Sequence, residues 1–288
     1  MKGAFKDLKA RFFAYAIEVS LLSLVVYFSQ IEWMKVVVML CVMGFGLAAI
    51  WEYVEFLKTK SLILPYKLLA LFTALLIFAN YLQILNYAVA GLTQMMLGLF
   101  LFAIFIYYFS KVDEAIVHIA TSFFGIVYIL IPLTLMLRIL YPESFAVGDL
   151  NGRLWLTYLI LVTKCTDMGG YFLGKTFGKS KLAPKISPQK TRVGSIGGFL
   201  FAVGISVLFS FAFSFFPEFG FQLSLSYAIL LGAAIGIFGQ IGDLAESLLK
   251  RDAKVKDSNS IPGVGGVLDN LDSLLFTAPI VYVFIKNM

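Results

Sequence analysis

Acidic side chains spaced three or four residues apart, beside lysine, arginine and glycine, are the residue types that handle divalent cations and phosphates. This chain gathers them in three places. The richest runs from Gly242 to Arg251 and holds Asp243, Glu246, Ser247, Lys250 and Arg251, followed by Lys256 and Asp257. In a helix, Asp243, Ser247, Lys250 and Arg251 stand at i, i+4, i+7 and i+8 on one face, with Glu246 at its border. Pro262-Gly263-Val264-Gly265-Gly266 comes next, and then Asp269 and Asp272, which share a face at i, i+3. Acids from two helices that meet across a cavity can hold hard cations through oxygen. Neighbouring lysine and arginine would hold the phosphates that the metal bridges. Glycines 263, 265 and 266 allow close backbone approach to a ligand. The competing reading is a set of salt bridges pinning helix ends, and the Pro-Gly-x-Gly-Gly loop between the acids argues for a ligand.

A second cluster is Asp167-Met168-Gly169-Gly170-Tyr171-Phe172-Leu173-Gly174-Lys175. An acid at the end of an apolar run is costly unless it is paired or wet. It is read here as facing a polar cavity, with glycines exposing backbone N–H groups to a phosphate; the alternative is a solvated acid at the interface. Residues 169–176, GGYFLGKT, also fit the G-x-x-x-x-G-K-[ST] pattern. A P-loop follows a strand and opens a helix in an α/β domain. The bulky Tyr-Phe-Leu interior and the lack of strand–helix alternation argue against one. The third cluster is the basic loop Lys175–Arg192, in which Ser187-Pro188-Gln189-Lys190-Thr191 leads to Gly194, Gly197 and Gly198. Cations with hydroxyl and backbone donors suit a polyphosphate, although six cations in one loop can also serve only as a topology signal.

These clusters must be held by membrane-spanning elements. The chain has 288 residues, 60% hydrophobic and only 14% charged, which excludes a water-soluble enzyme, a disordered chain and a collagen-like fibre. Nine candidate spans are predicted: Phe12–Ser29, Met34–Trp51, Leu62–Leu82, Tyr87–Ser110, Ala115–Leu137, Leu154–Asp167, Ser195–Phe216, Leu225–Leu248 and Leu268–Ile285. The sixth is short and is expected to stop part-way across the membrane or at a protein-lined cavity. The first follows Lys2, Lys6, Lys9 and Arg11 without a cleavage site and reads as a retained signal anchor. With the N-terminus in the cytoplasm, the inside segments carry 17 basic residues and the outside segments four, the bias of the positive-inside rule. The fold class is therefore an all-α polytopic membrane protein of about nine helices. Residues 1–150 form the N-terminal spans and residues 151–288 carry the polar site, in one integrated membrane domain. The net charge of +6 is small for a nucleic-acid binder, and no nucleic-acid partner is expected. His118, Glu18, Cys41 and Cys165 lie within apolar runs and carry no motif.

The stretch of the chain from Ser247 resembles the signature of the phosphatidate cytidylyltransferases, the CDP-diacylglycerol synthases. The family pattern S-x-x-K-R-x4-K-D, a short spacer and P-G-H-G-G-x-x-D-R-x-D stands here as Ser247, Lys250, Arg251, Lys256, Asp257, then Pro262, Gly263, Gly265, Gly266, Asp269 and Asp272. The run Lys181–Thr191 and the cluster around Asp167 also look like that family, so the likeness covers roughly residues 160–280. Departures are Val264 where His is common, Asn270 where Arg is common, Val193 where Glu is usual, Arg192 where Trp is common, and a spacer one residue shorter. The resemblance implies cytidylyl transfer from CTP to phosphatidate, giving CDP-diacylglycerol and pyrophosphate in phospholipid biosynthesis, with Mg²⁺ as cofactor. It implies Asp243, Asp269 and Asp272 as the metal-centred acids and catalytic roles for Asp257, Lys250 and Arg251. Substrate contacts would come from Asp167, Lys190, Thr191, Ser187, Ser247, Lys256, Gly263, Gly265 and Gly266. The expected location is the cell inner (plasma) membrane, and a homodimer stays open. The alternatives are a membrane transferase for another lipid or polyprenyl phosphate, and a non-catalytic family member.

Overall fold

The computed structural model describes residues 25–87, 89–142, 151–255 and 266–288. Among them the chain is almost entirely helical. The helices are α1 (Glu32–Lys58), α2 (Tyr66–Ile84), α3 (Leu92–Tyr108), α4 (Ala115–Leu140), α5 (Gly152–Phe177), α6 (Arg192–Ser214), α7 (Leu225–Asp252) and α8 (Val267–Lys286). A single antiparallel hairpin, β1 (Lys181–Ala183) with β2 (Ser187–Thr191), replaces the basic loop expected between spans. Among the described residues six helices, α1, α2, α4, α6, α7 and α8, are long and apolar enough to cross a membrane. The chain is a multi-pass membrane protein. Side chains such as Phe102, Phe211 and Leu230 stay exposed, as a lipid solvent permits.

Several expected boundaries shift; the second span, for example, runs on from Trp51 to Lys58. The fourth span begins at Leu92 rather than Tyr87, because Gly91 caps it in the left-handed region at φ +88°; it is 17 residues long. The sixth does not stop at Asp167. It continues as one helix through Gly169, Gly170 and Gly174 to Phe177. These glycines are helical because they pack, and their backbone N–H groups are not displayed to a phosphate. A Cβ at Gly169 would meet the Phe201 ring at 2.5 Å, and one at Gly194 would meet the Gly170 carbonyl oxygen at 2.6 Å. A Cβ at Gly198 would meet the Thr166 oxygen at 2.8 Å. Small residues on both helices let α5 and α6 approach backbone to backbone, the membrane mode of helix packing. The Gly169–Thr176 pattern match thus lies inside a helix, and no strand precedes it among the described residues. Of the expected first span, residues 12–24 lie outside the described residues.

The described residues form two compact units. The first comprises those up to Leu130 together with Val255 and 266–270; the second comprises those from Ile131 to Lys254 and from Leu271 onward. In the first, α1 packs on α2 and α2 on α3. Gly46 lies under Ile77, Thr73 and Leu130, and the buried Tyr53 donates its hydroxyl to the Thr121 carbonyl at 2.9 Å. In the second, α5, α6 and α7 pack together around an aromatic cluster of Trp155, Tyr158, Phe209 and Phe221. Polar ties cross this core. The Tyr158 and Ser206 hydroxyls are 2.6 Å apart, Ser206 donates to the Ala228 carbonyl at 2.5 Å, and Thr163 and Thr277 are 3.0 Å apart. Each tie satisfies groups that lipid could not.

Candidate functional site

Along α5, about one turn past Thr163, the second unit turns polar. Asp167 on α5, Asp243 on α7 and Asp272 on α8 lie within electrostatic reach of one another, with Lys164 and Lys190 as nearby cations. Ser273 donates its hydroxyl to Asp167 Oδ1 at 3.4 Å, and its backbone N–H donates to Asp272 Oδ1. Asp272 is buried. Lys190, near the end of β2, forms an ion pair with Asp243. Local chemistry sets that lysine's place. Thr191 is the N-cap of α6, and its Oγ1 accepts from the Gly194 N–H at 3.1 Å, the usual role of a threonine at a helix start. The strand therefore ends where α6 begins, one residue after Lys190. Close approach of α7 to α8 completes the arrangement: a Cβ at Gly242 would meet the Asp272 carbonyl oxygen at 2.5 Å.

The other expected residues of this unit take varied positions. Arg251 reaches the hairpin, donating Nε–H to the Ile186 carbonyl at 3.1 Å. Lys250 pairs with Glu246 at 2.7 Å, one turn apart on α7. Glu246 is buried, and the sequence marked it only as bordering the site; an acid four residues before a lysine is the signal for such a pair. Ser247 is half-buried on α7 and Ser187 half-buried on β2. Lys256, Asp257, Gly263 and Gly265 lie outside the described residues.

In the first unit, the start of α8 is held by carboxylates. Asp269 Oδ2 accepts from the Gly266 N–H at 2.9 Å. Glu52, on α1, accepts from the N–H groups of Val267 and Leu268, each at 2.8 Å. Glu52 is 2% exposed, and sequence reasoning assigned it no role. An acid one residue past an apolar run was the available signal.

Among the described residues no three His, Cys, Asp or Glu side chains converge into a metal cage of their own. The donor chemistry nevertheless fits Mg²⁺, which keeps several waters and is usually held by one or two carboxylates together with substrate phosphates. Carboxylates from three helices with lysines between them can take a polyphosphate and the hard cation that accompanies it.

The chain is similar to several known proteins. A phosphatidate cytidylyltransferase of Chlamydia pneumoniae is 45% identical over 170 residues, covering 57% of this chain and 53% of that protein. One from Chlamydia trachomatis is 41% identical over 166 residues, with the same coverage. One from Bacillus subtilis is 42% identical over 135 residues, 46% of this chain and 48% of that protein. The chain thus spans about half the length of the curated relatives it matches. The model of the cytidylyltransferase family, in contrast, matches residues 9–288. The chain belongs to the cytidylyltransferase family.

Proposed function

We propose that the protein transfers the cytidylyl group of CTP to phosphatidate in the membrane, forming CDP-diacylglycerol and releasing pyrophosphate. The observation that carries this reading is the ion pair between Lys190 and Asp243 beside Asp167 and Asp272. It brings the basic hairpin to acids of three helices, the charged groups that a polyphosphate, a lipid phosphate and an accompanying cation require. The names of these three relatives, each a phosphatidate cytidylyltransferase, support the choice of substrates.

In this reaction an oxygen of the lipid phosphate attacks the α-phosphorus of CTP. The bond from that phosphorus to the oxygen bridging the β-phosphorus breaks, and its electron pair leaves with pyrophosphate. The nucleophile is already an anion, so no side chain has to remove a proton. Catalysis is then mostly positioning and charge stabilisation. Lys190, with Lys256, would hold CTP phosphates; Ser187, Ser247 and the Thr191 hydroxyl would orient them; Lys250 and Arg251 would keep α7 and the hairpin in place. Mg²⁺ held by Asp243 and Asp272, with Asp269 one turn earlier on α8, would neutralise charge on the transferring and leaving phosphates. Asp167 and Asp257 would support them. We also place the protein in the inner (plasma) membrane with a cytoplasmic N-terminus, on the 17-to-4 split of basic residues.

The test is pyrophosphate release by the purified protein. CTP is compared with ATP, GTP and UTP, with and without phosphatidate and Mg²⁺. Release that requires CTP, phosphatidate and Mg²⁺ together supports the reading. Release with another lipid or polyprenyl phosphate alone would move the substrate, and no turnover under any condition would favour a non-catalytic member.

A further inference from the structure

The first turn of α8 is capped from a distant helix. Gly266 occupies the N-cap position: its carbonyl accepts from the Asn270 N–H at 3.2 Å. A helix start leaves its first N–H groups without intrahelical partners, and a glycine has no side-chain oxygen to offer them. Asp269, at the third helical position, reaches back to the Gly266 N–H, as the acid of a capping box does. Glu52 supplies the missing half, its two carboxylate oxygens taking the Val267 and Leu268 N–H groups. Charge-assisted hydrogen bonds of this length are among the stronger ones, and a negative charge complements the positive end of a helix. They offset the cost of burying an acid in an apolar helix.

Two consequences follow. The N–H groups of residues 266, 267 and 268 are engaged by carboxylates rather than offered to a phosphate. And α8, which carries Asp269 and Asp272, has its start pinned by a residue 215 positions earlier in the chain.

We propose that Glu52 is a positioning residue for cytidylyl transfer, fixing the start of α8 and thereby the carboxylate of Asp269. This rests on the reading of the protein as a cytidylyltransferase. Glu52→Gln keeps the size but leaves one oxygen, and its NH₂ group must face a backbone N–H. The test uses full-length protein purified in detergent. Expected for Glu52→Gln are a kcat lowered at least tenfold, a higher Mg²⁺ concentration for half-maximal rate, KM for CTP and phosphatidate within twofold of wild type, and at least tenfold faster amide exchange confined to residues 266–272. Val267→Pro removes one of the two N–H groups, and proline is well tolerated at a first helical position. In Glu52→Gln/Val267→Pro the Gln oxygen accepts from Leu268 while its NH₂ no longer meets a donor. The double variant should therefore recover several-fold in kcat over Glu52→Gln alone.

A kcat within twofold of wild type for Glu52→Gln overturns the proposal. So does a loss of kcat that the double variant does not recover, or faster exchange spread over all helices. If Glu52→Gln does not fold, Glu52→Asp carries the test, its shorter side chain being unable to hold both N–H groups, and unchanged exchange at 266–272 with unchanged kcat and Mg²⁺ dependence refutes it. A wild type that turns over no CTP instead overturns the cytidylyltransferase reading. Exchange at 266–272 then decides the clamp, and an unchanged rate in Glu52→Gln refutes it.

Discussion

Alanine at Gly194 is the sharpest probe of how α5 and α6 hold the site. A Cβ there would stand 2.6 Å from the Gly170 carbonyl oxygen, 3.0 Å from Thr191 Oγ1 and 3.1 Å from the Gly174 Cα. The first and last of these are backbone atoms, so no rotamer change relieves them. Restoring an ordinary contact of 3.4 Å to the carbonyl requires the helices to part by about 0.8 Å. Overpacking of this kind costs about 1–3 kcal/mol. Gly204, on the same helix, has nothing within 4 Å of its Cβ position. Gly204→Ala therefore gains only the helix propensity of alanine, up to about 1 kcal/mol. Gly194→Ala gains the same term, so the difference between the two variants isolates the steric cost. At roughly 2–4 °C per kcal/mol, Gly194→Ala should melt about 2–12 °C below Gly204→Ala in detergent. The separation also displaces Lys190, beside the start of α6, from Asp167 on α5. A misplacement approaching 1 Å costs up to about 100-fold in rate, so turnover per folded molecule should fall roughly 10- to 100-fold in Gly194→Ala and stay normal in Gly204→Ala. Equal melting temperatures and equal turnover for the two variants would refute the account of these glycines as a contact surface.

Other outcomes are expected from the same structure. Asp243→Asn keeps the side chain's shape but loses the charge that pairs with Lys190 and holds a hard cation; pyrophosphate release should drop by about 10²–10³-fold, whereas a purely structural ion pair predicts a lower melting temperature with normal turnover. Asp269→Asn can still accept the Gly266 N–H through its amide oxygen, so it should fold and lose activity on a similar scale; near wild-type rates in both variants would remove the acids from the site. With Cys41 and Cys165 replaced, a cysteine at the exposed Lys185 should be labelled from the cytoplasm and one at the exposed Glu218 from the opposite side, and reverse labelling would sink the orientation. Val264→His should change the rate only modestly and leave the need for Mg²⁺ intact, because the attacking phosphate is already anionic; a wild type that is inert until Val264→His and Asn270→Arg are combined would show that those departures had silenced it.

Much of the architecture follows from local composition. Apolar runs near the length of a bilayer are read residue by residue, and α1, α2, α4, α6, α7 and α8 appear where such runs were expected. Spacing also located the polar stretches around Asp243 and Asp272, because a helix places i, i+3 and i+4 on one face whatever it packs against, and composition marked those around Asp167 and Lys190. The purpose of the glycines was not legible. From the sequence, Gly169, Gly170 and Gly174 read as exposing N–H groups to a phosphate, and only the approach of Phe201, Gly194 and Thr191 from α6 and its cap shows them to be a packing surface. The pairing of Lys190 with Asp243 and the capping of Val267 and Leu268 by Glu52 join residues 53 and more than 200 positions apart. No periodicity encodes such contacts. They exist because buried charges and unpaired N–H groups in a nearly waterless interior must find partners, and only the folded chain decides which are within reach.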